Sequence, residues 1–151
     1  MTGREAVEAG FEERVRESFS RQEIMRTLGA TLERVESGLV EIHLPFRKEL
    51  TQQHGFLHAG IVATILDSAC GFAAFTQMPP DAAVLSIEYK INLLAPAVGE
   101  KIIARGRLIR YGQTITVTEG DALAISQGSE RPVAHMVATM MTVRGRDELV
   151  G

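Results

Sequence analysis

The chain has 151 residues, 45% of them hydrophobic and 23% charged, with a formal net charge of −3. That length holds one globular domain with a real core and leaves no room to expect a second. Acidic and basic residues are interspersed, so there is no electrostatic footprint for nucleic acid or an anionic membrane, and a small molecule or a protein is the expected partner.

The single cysteine, Cys70, cannot form an intramolecular disulfide, and the start MTGREAVEAGFEERV lacks the basic-then-apolar order of a secretory signal. A reducing cytoplasm is the expected compartment. From Gly10 to Leu28, charges alternate with apolar Phe11, Val15, Phe19, Ile24 and Leu28, the pattern of one or two amphipathic helices lying on something larger, ended by Gly29. ATLERVESGLVEIHLPF then reads as a β-hairpin with its turn at Glu36-Ser37-Gly38, closed by Pro45. A polar loop, RKELTQQHGFLH, leads into a helix predicted from Ala59 to about Phe75, before the Pro79-Pro80 pair. That run is shorter than the roughly 20 apolar residues of a membrane span and carries Asp67 near its middle, so it reads as a buried helix.

Four β-rich stretches follow: AVLSIEYKINLLAP, EKIIARGRLIRYG, QTITVTEGDALAIS and PVAHMVATMMTV, with turns at Gly112 and in a loop from Gln127 to Arg131. The fold class is therefore α+β. A sheet of this length has one large face to bury, and the helix apolar all round is the element to fill it, so an antiparallel sheet should wrap the long helix.

The polar residues of that helix need a reason. Thr64, Asp67 and Ser68 stand at i, i+3 and i+4, with Gly60 four residues before Thr64 and Gly71 four after Asp67, one small and polar stripe that suits a seam. The plain account of Asp67 is a buried acid satisfied by backbone or hydroxyl partners; the functional one is a perturbed carboxylate beside a cleft. His58, just before the helix, reads alone as a cap or a packed loop residue. His43 and His135 fall in strand patterns, and with His54 they show no metal-ligand spacing, so no metal site is expected.

At the helix start, the amides of Ala59 and Gly60 lack internal partners and lie at the positive end of the dipole, where they can polarise a carbonyl. Asp67 is eight residues further on, about 12 Å at 1.5 Å per residue. One chain cannot bring both groups to one carbonyl. If both act, the site forms between two subunits across a two-fold axis.

QQHGFLHAG followed by ATILDSA, then SIEYKINLLAPAVGE and PVAHMVATMMTV, resemble the PaaI-type acyl-CoA thioesterases of the hotdog-fold superfamily over roughly residues 28 to 144. The resemblance implies a single hotdog domain, with residues 1–28 a helical N-terminal extension and 29–144 the core, dimerising edge to edge and pairing further into tetramers. It implies thioester hydrolysis of an acyl-CoA, with Asp67 as general base or nucleophile, the Ala59 amide at the carbonyl oxygen and His58 beside it. Gln52 stands where the family usually has a substrate-positioning asparagine, Ser86 matches a hydroxyl that assists water near the aspartate, and Gly55, Gly60 and Thr64 flank the substrate. Ala59 replaces the commoner glycine, which keeps the amide but adds a methyl near the acyl chain. Coenzyme A belongs to the substrate, so no separate cofactor is implied. Lys90, Arg105, Arg107 and Arg110 are available for its phosphates or form a solvated strand face. Ile61, Ile65, Phe72 and Phe75 line an acyl tunnel or pack as core.

Two other readings compete. A hydratase or dehydratase of acyl thioesters would share proton transfer between His58 and Asp67, and a non-catalytic acyl-CoA-binding module would use the same tunnel without turnover. The small-residue pair at the helix start favours hydrolysis over hydration, and an extension this short and acidic does not suit a DNA-binding output domain.

Overall fold

The computed structural model describes residues 10–149 and 151, so the first nine residues of the expected extension lie outside the described residues. Helices α1 (Phe11–Ser20) and α2 (Glu23–Leu28) are followed by β1 (Thr31–Glu36), β2 (Leu39–Pro45), a short 3-10 turn at Lys48–Leu50, α3 (Ala59–Phe75), β3 (Ala83–Leu93), β4 (Lys101–Arg110), β5 (Ile115–Ser126) and β6 (Ser129–Val143). The strands form one antiparallel sheet in the order β1-β2-β4-β5-β6-β3. The sheet wraps α3, which packs against β2 to β6 and buries 12 of its 17 residues. Burial on nearly every side is why this helix carries no amphipathic signature. Ile65 and Phe75 are wholly buried core residues, and Ile61 packs against that core.

The sheet admits α3 so closely because of two glycines. Gly106 of β4 and Gly120 of β5 face each other in register beneath the helix. A Cβ on Gly106 would lie 2.4 Å from the carbonyl carbon and oxygen of Ala69, and one on Gly120 would lie 2.9 Å from Cys70 Sγ. Helix backbone therefore rests on strand backbone at the point just past Asp67.

The N-terminal pair rides on the other side of α3. Val15, Met25 and Leu28 are buried, and Phe11 and Phe19 pack against the core. Arg14 donates to Phe75 O at 3.2 Å and Met78 O at 2.9 Å, with its guanidinium 4.7 Å from the Phe75 ring centroid. The guanidinium adds a second donor to the Phe75 carbonyl, which also accepts from the Met78 amide, and holds the Met78 carbonyl just past α3. Gly29 ends α2 in the left-handed region, as its position predicts.

The β5–β6 connection is tighter than the sequence suggests. Gln127 and Gly128 both have positive φ (50° and 76°) and make a two-residue turn of the primed kind, so β6 begins at Ser129 instead of after Arg131. Pro132 lies inside the strand, opposite Leu123, where the ladder shifts register between Ala122 and Leu123. A residue with no N–H is tolerated at such an irregularity.

The outer face of the sheet is a charge ladder. Arg105 reaches Glu41 at 2.6 Å, while Arg107 bridges Glu119 at 3.0 Å and Asp121 at 2.8 Å; His135 lies 2.7 Å from Asp121. Burial raises the Glu41 and Asp121 carboxyls, but Arg105 at Glu41, and His135 with Arg107 at Asp121, outweigh it and hold both below the usual carboxylate range. Arg105 and Arg107 are thus engaged by carboxylates on the sheet surface, whereas Lys90 and Arg110 are exposed.

The two sheet edges differ. β1 carries Glu33, Arg34 and Glu36, charges that discourage further pairing. The 11-residue β3 instead exposes Leu85, Ile87 (51%), Tyr89 and Leu93 (55%) along the other edge.

Candidate active site

The loop before α3 is held by its own main chain. Thr51 bridges to Leu57, His58 N donates to Leu50 O at 3.0 Å, and Leu57 N donates to Ala97 O at 2.9 Å. Gly55 sits at the tip with φ 84°, a conformation that side chains other than glycine's resist, and it lines neither of the clefts described below. The side-chain oxygen of Gln52 accepts from the His54 amide, which leaves the Gln52 carboxamide NH2 as a donor.

His58 is the N-cap of α3, and its Nδ1 accepts from the Gly60 amide at 2.9 Å. This bond requires a lone pair on Nδ1, so the neutral ring carries its proton on Nε2. It also takes up one of the two amides at the helix entrance. Ile61 and Val62 both donate to His58 O, and the Ala59 N–H has no acceptor among the described residues. The structure thus makes His58 the cap through Gly60 and leaves the Ala59 amide without an acceptor among the described residues.

Ala59, His58 and Gln52 line a cleft of about 530 Å³ that is otherwise walled by apolar groups including Phe56, Val62 and Leu93.

Asp67 lies elsewhere. Half-buried on α3, it lines a second cleft of about 320 Å³ with Gln22, Ser68, Phe72, Val84 and Ser86. Ser86 Oγ, from β3, donates to Asp67 Oδ1 at 2.6 Å and also lies 3.3 Å from Met140 Sδ. One carboxylate oxygen is therefore oriented by a hydroxyl, and the other is free to accept a proton or to attack. The two clefts share no lining residue. Thr64 belongs to neither, since its hydroxyl donates to Gly60 O at 2.7 Å along its own helix.

Cys70, one turn beyond Leu66 and beneath the Gly120 backbone, has its thiol pushed up to about 12, chiefly by burial. It stays protonated at neutral pH and offers no nucleophile. Among the described residues no group of three His, Cys, Asp or Glu side chains could hold a metal ion, and no helix is long and apolar enough to cross a membrane.

The sequence model of the Thioesterase superfamily matches residues 54–129, half of the chain. A crystal structure of a thioesterase family protein from Silicibacter pomeroyi is 50% identical, with a TM-score of 0.88 over 90% of this chain and 100% of that one. This chain belongs to the thioesterase superfamily. Thioester hydrolysis is the general chemistry that membership supports. The E. coli PaaI protein from the phenylacetic acid degradation operon superimposes over 97% of the chain and 100% of its own with a TM-score of 0.82 at 14% identity, a likeness of fold, and that fold is the hotdog. A protein of Halobacterium salinarum provisionally named an esterase is 32% identical over 64% of this chain and 66% of its own length.

For this superfamily member, the matched span holds His58, Ala59, Asp67 and Ser86 but not Gln52 or Gln22. Gln22 is a cleft residue that the sequence reading passed over. It sits at the break between two amphipathic helices, where a polar residue looks like a connector, and no local pattern ties it to a position 46 residues away.

Proposed function

We propose that this thioesterase hydrolyses an acyl-CoA to a carboxylic acid and free CoA, in a site shared between two subunits. The observation that carries the reading is the 2.6 Å bond from Ser86 to Asp67 inside a cleft. It supports a carboxylate held in one orientation, with its second oxygen turned to the reacting centre. Asp67 accepts a proton from water as the water oxygen bonds to the carbonyl carbon, or attacks that carbon directly. The Ala59 amide, aided by the His58 Nε2–H and the Gln52 carboxamide, stabilises negative charge on the carbonyl oxygen. The C–S bond then breaks and the thiolate leaves; on the general-base route the proton held by Asp67 passes to sulfur, and on the direct-attack route water then cleaves the acyl–Asp67 anhydride, giving the acid and supplying the proton to sulfur. CoA enters with the substrate, so this scheme calls for no resident cofactor.

Distance supports the shared site. Ala59 and Asp67 are eight residues apart on one helix, about 12 Å, and they line different clefts. A two-fold partner joined along the apolar β3 edge would set its Ala59 entrance against the Asp67 cleft, since Ser86 stands on that same strand. We place the protein in the cytoplasm as such a dimer, with dimers pairing into tetramers.

Free-thiol release from short, long and aromatic acyl-CoAs tests the activity. Turnover of at least one class is expected; acyl-CoA bound without turnover would replace this reading with a binding module, and hydration of enoyl-CoA with a hydratase. Subunit mixing tests the shared site. Asp67→Asn and His58→Ala chains, each poorly active, should on equal mixing regain roughly a quarter of wild-type activity, because half of the dimers then hold one intact site of two. Absence of recovery after proven exchange would sink the shared-site model.

A further inference from the structure

The Asp67 cleft has a wall that the hydrolytic scheme leaves unused. Gln22, the N-cap residue just before α2, lays its side chain on α3, where its Oε1 accepts from Ser68 Oγ at 3.0 Å. Ser68 is buried and adjacent to Asp67. Phe72, one turn along α3, meets the Phe19 ring of α1 with centroids 6.1 Å apart, and Met25 and Leu28 of α2 are buried, so the helix pair is held on both sides of the break that carries Gln22. The carboxamide is thus fixed at its oxygen. Its Nε2 has no acceptor among the described residues, although Gln22 is half-buried and lines the same cleft as Asp67 and Ser86.

In the open cleft that donor can be met by water, and an occupant that displaces the water keeps the hydrogen bond only if it carries an acceptor there. An acyl chain that is purely apolar would pack equally well against methionine or leucine at this position. The volume of about 320 Å³ lies at the small end of ligand pockets, so the part of the acyl group held within this cleft is small. Phe72 and Val84 cover its apolar part, while the polar Gln22–Ser68 pair stands apart from the carbonyl-polarising amide of the other cleft.

We propose that Gln22 is a specificity residue that donates from Nε2 to an oxygen on the acyl group distinct from the thioester carbonyl. The preferred substrates are then acyl thioesters bearing a hydroxyl or keto oxygen. This rests on the hydrolytic reading of the Asp67 cleft and adds to it the class of acyl group.

The test compares kcat/KM for short-chain hydroxyacyl- and ketoacyl-CoAs with that for their unsubstituted counterparts, in wild type and in Gln22→Met. Methionine keeps the length and removes the donor. Sites built to hydrogen-bond a substrate group discriminate against analogues that lack it. Wild type should favour the oxygenated member at least tenfold, and Gln22→Met should bring the ratio close to one. A wild-type ratio near one overturns the assignment without any variant, and so does a ratio that Gln22→Met leaves unchanged. Equal turnover of both members removes only the Gln22 role; no turnover of any acyl-CoA removes the hydrolytic reading with it.

Discussion

Asp67→Asn lowers kcat/KM for thioester hydrolysis by about a thousandfold while the protein stays folded, the range expected when a positioned general base is removed. Asparagine has nearly the same shape, and its carbonyl oxygen still accepts the hydroxyl of Ser86, which lies 2.6 Å from Oδ1 in the native site. What is lost is the second carboxylate oxygen, which in the proposed scheme takes the proton from water or forms the bond to carbon. Because Asp67 is only half-buried and lines an open cleft, exchanging a charged group for a neutral amide leaves no desolvated charge behind and should shift stability little. Thiol release together with a thermal melt by circular dichroism checks both halves. Activity within tenfold of wild type would remove Asp67 from the chemistry; a collapse of the melt would make it a structural acid.

The comparison of sequence with structure turns on whether the signal is local. Helix α3 was legible because its long apolar run contains no proline and ends before the Pro79-Pro80 pair, and the β1–β2 hairpin because alternation and Ser37-Gly38 agree. The start of β6 was misjudged because Pro132 and the polar residues before it look like a loop, whereas a two-residue turn and a register shift absorb them. The Asp67–Ser86 pair spans 19 residues and two element types; the family resemblance, not spacing, put those residues together. At the α3 entrance the sequence left His58 as a cap or a catalytic neighbour, and the geometry makes the cap select which amide stays open. Gln22 had no signal, since its partner Ser68 lies on another element and only the packing of α1 and α2 brings them together.

Gly106→Ala is expected to destabilise the fold by about 3 kcal/mol, the upper end of ordinary overpacking. The reason lies in what the added methyl meets. Its nearest neighbours are the carbonyl carbon and oxygen of Ala69 and the nitrogen of Cys70, at 2.4, 2.4 and 2.6 Å, all backbone atoms of α3. No rotamer change can relieve such contacts, so either β4 bows outward or the helix lifts. Gly120→Ala, directly across the ladder, makes the informative contrast: its methyl would meet Cys70 Sγ at 2.9 Å and Leu66 Cδ2 at 3.1 Å, side-chain ends that can turn, although Arg105 O at 3.2 Å limits the relief. Its cost should be smaller, about 1–2 kcal/mol. Urea unfolding midpoints at unchanged slope measure both. Equal costs, or less than about 1 kcal/mol for Gly106→Ala, would mean that the sheet yields freely and does not set the height of the helix. If the expected order holds, Gly106→Ala should also lose activity in its folded fraction, because Ala69 is two residues from Asp67 and a lifted helix carries the carboxylate away from Ser86.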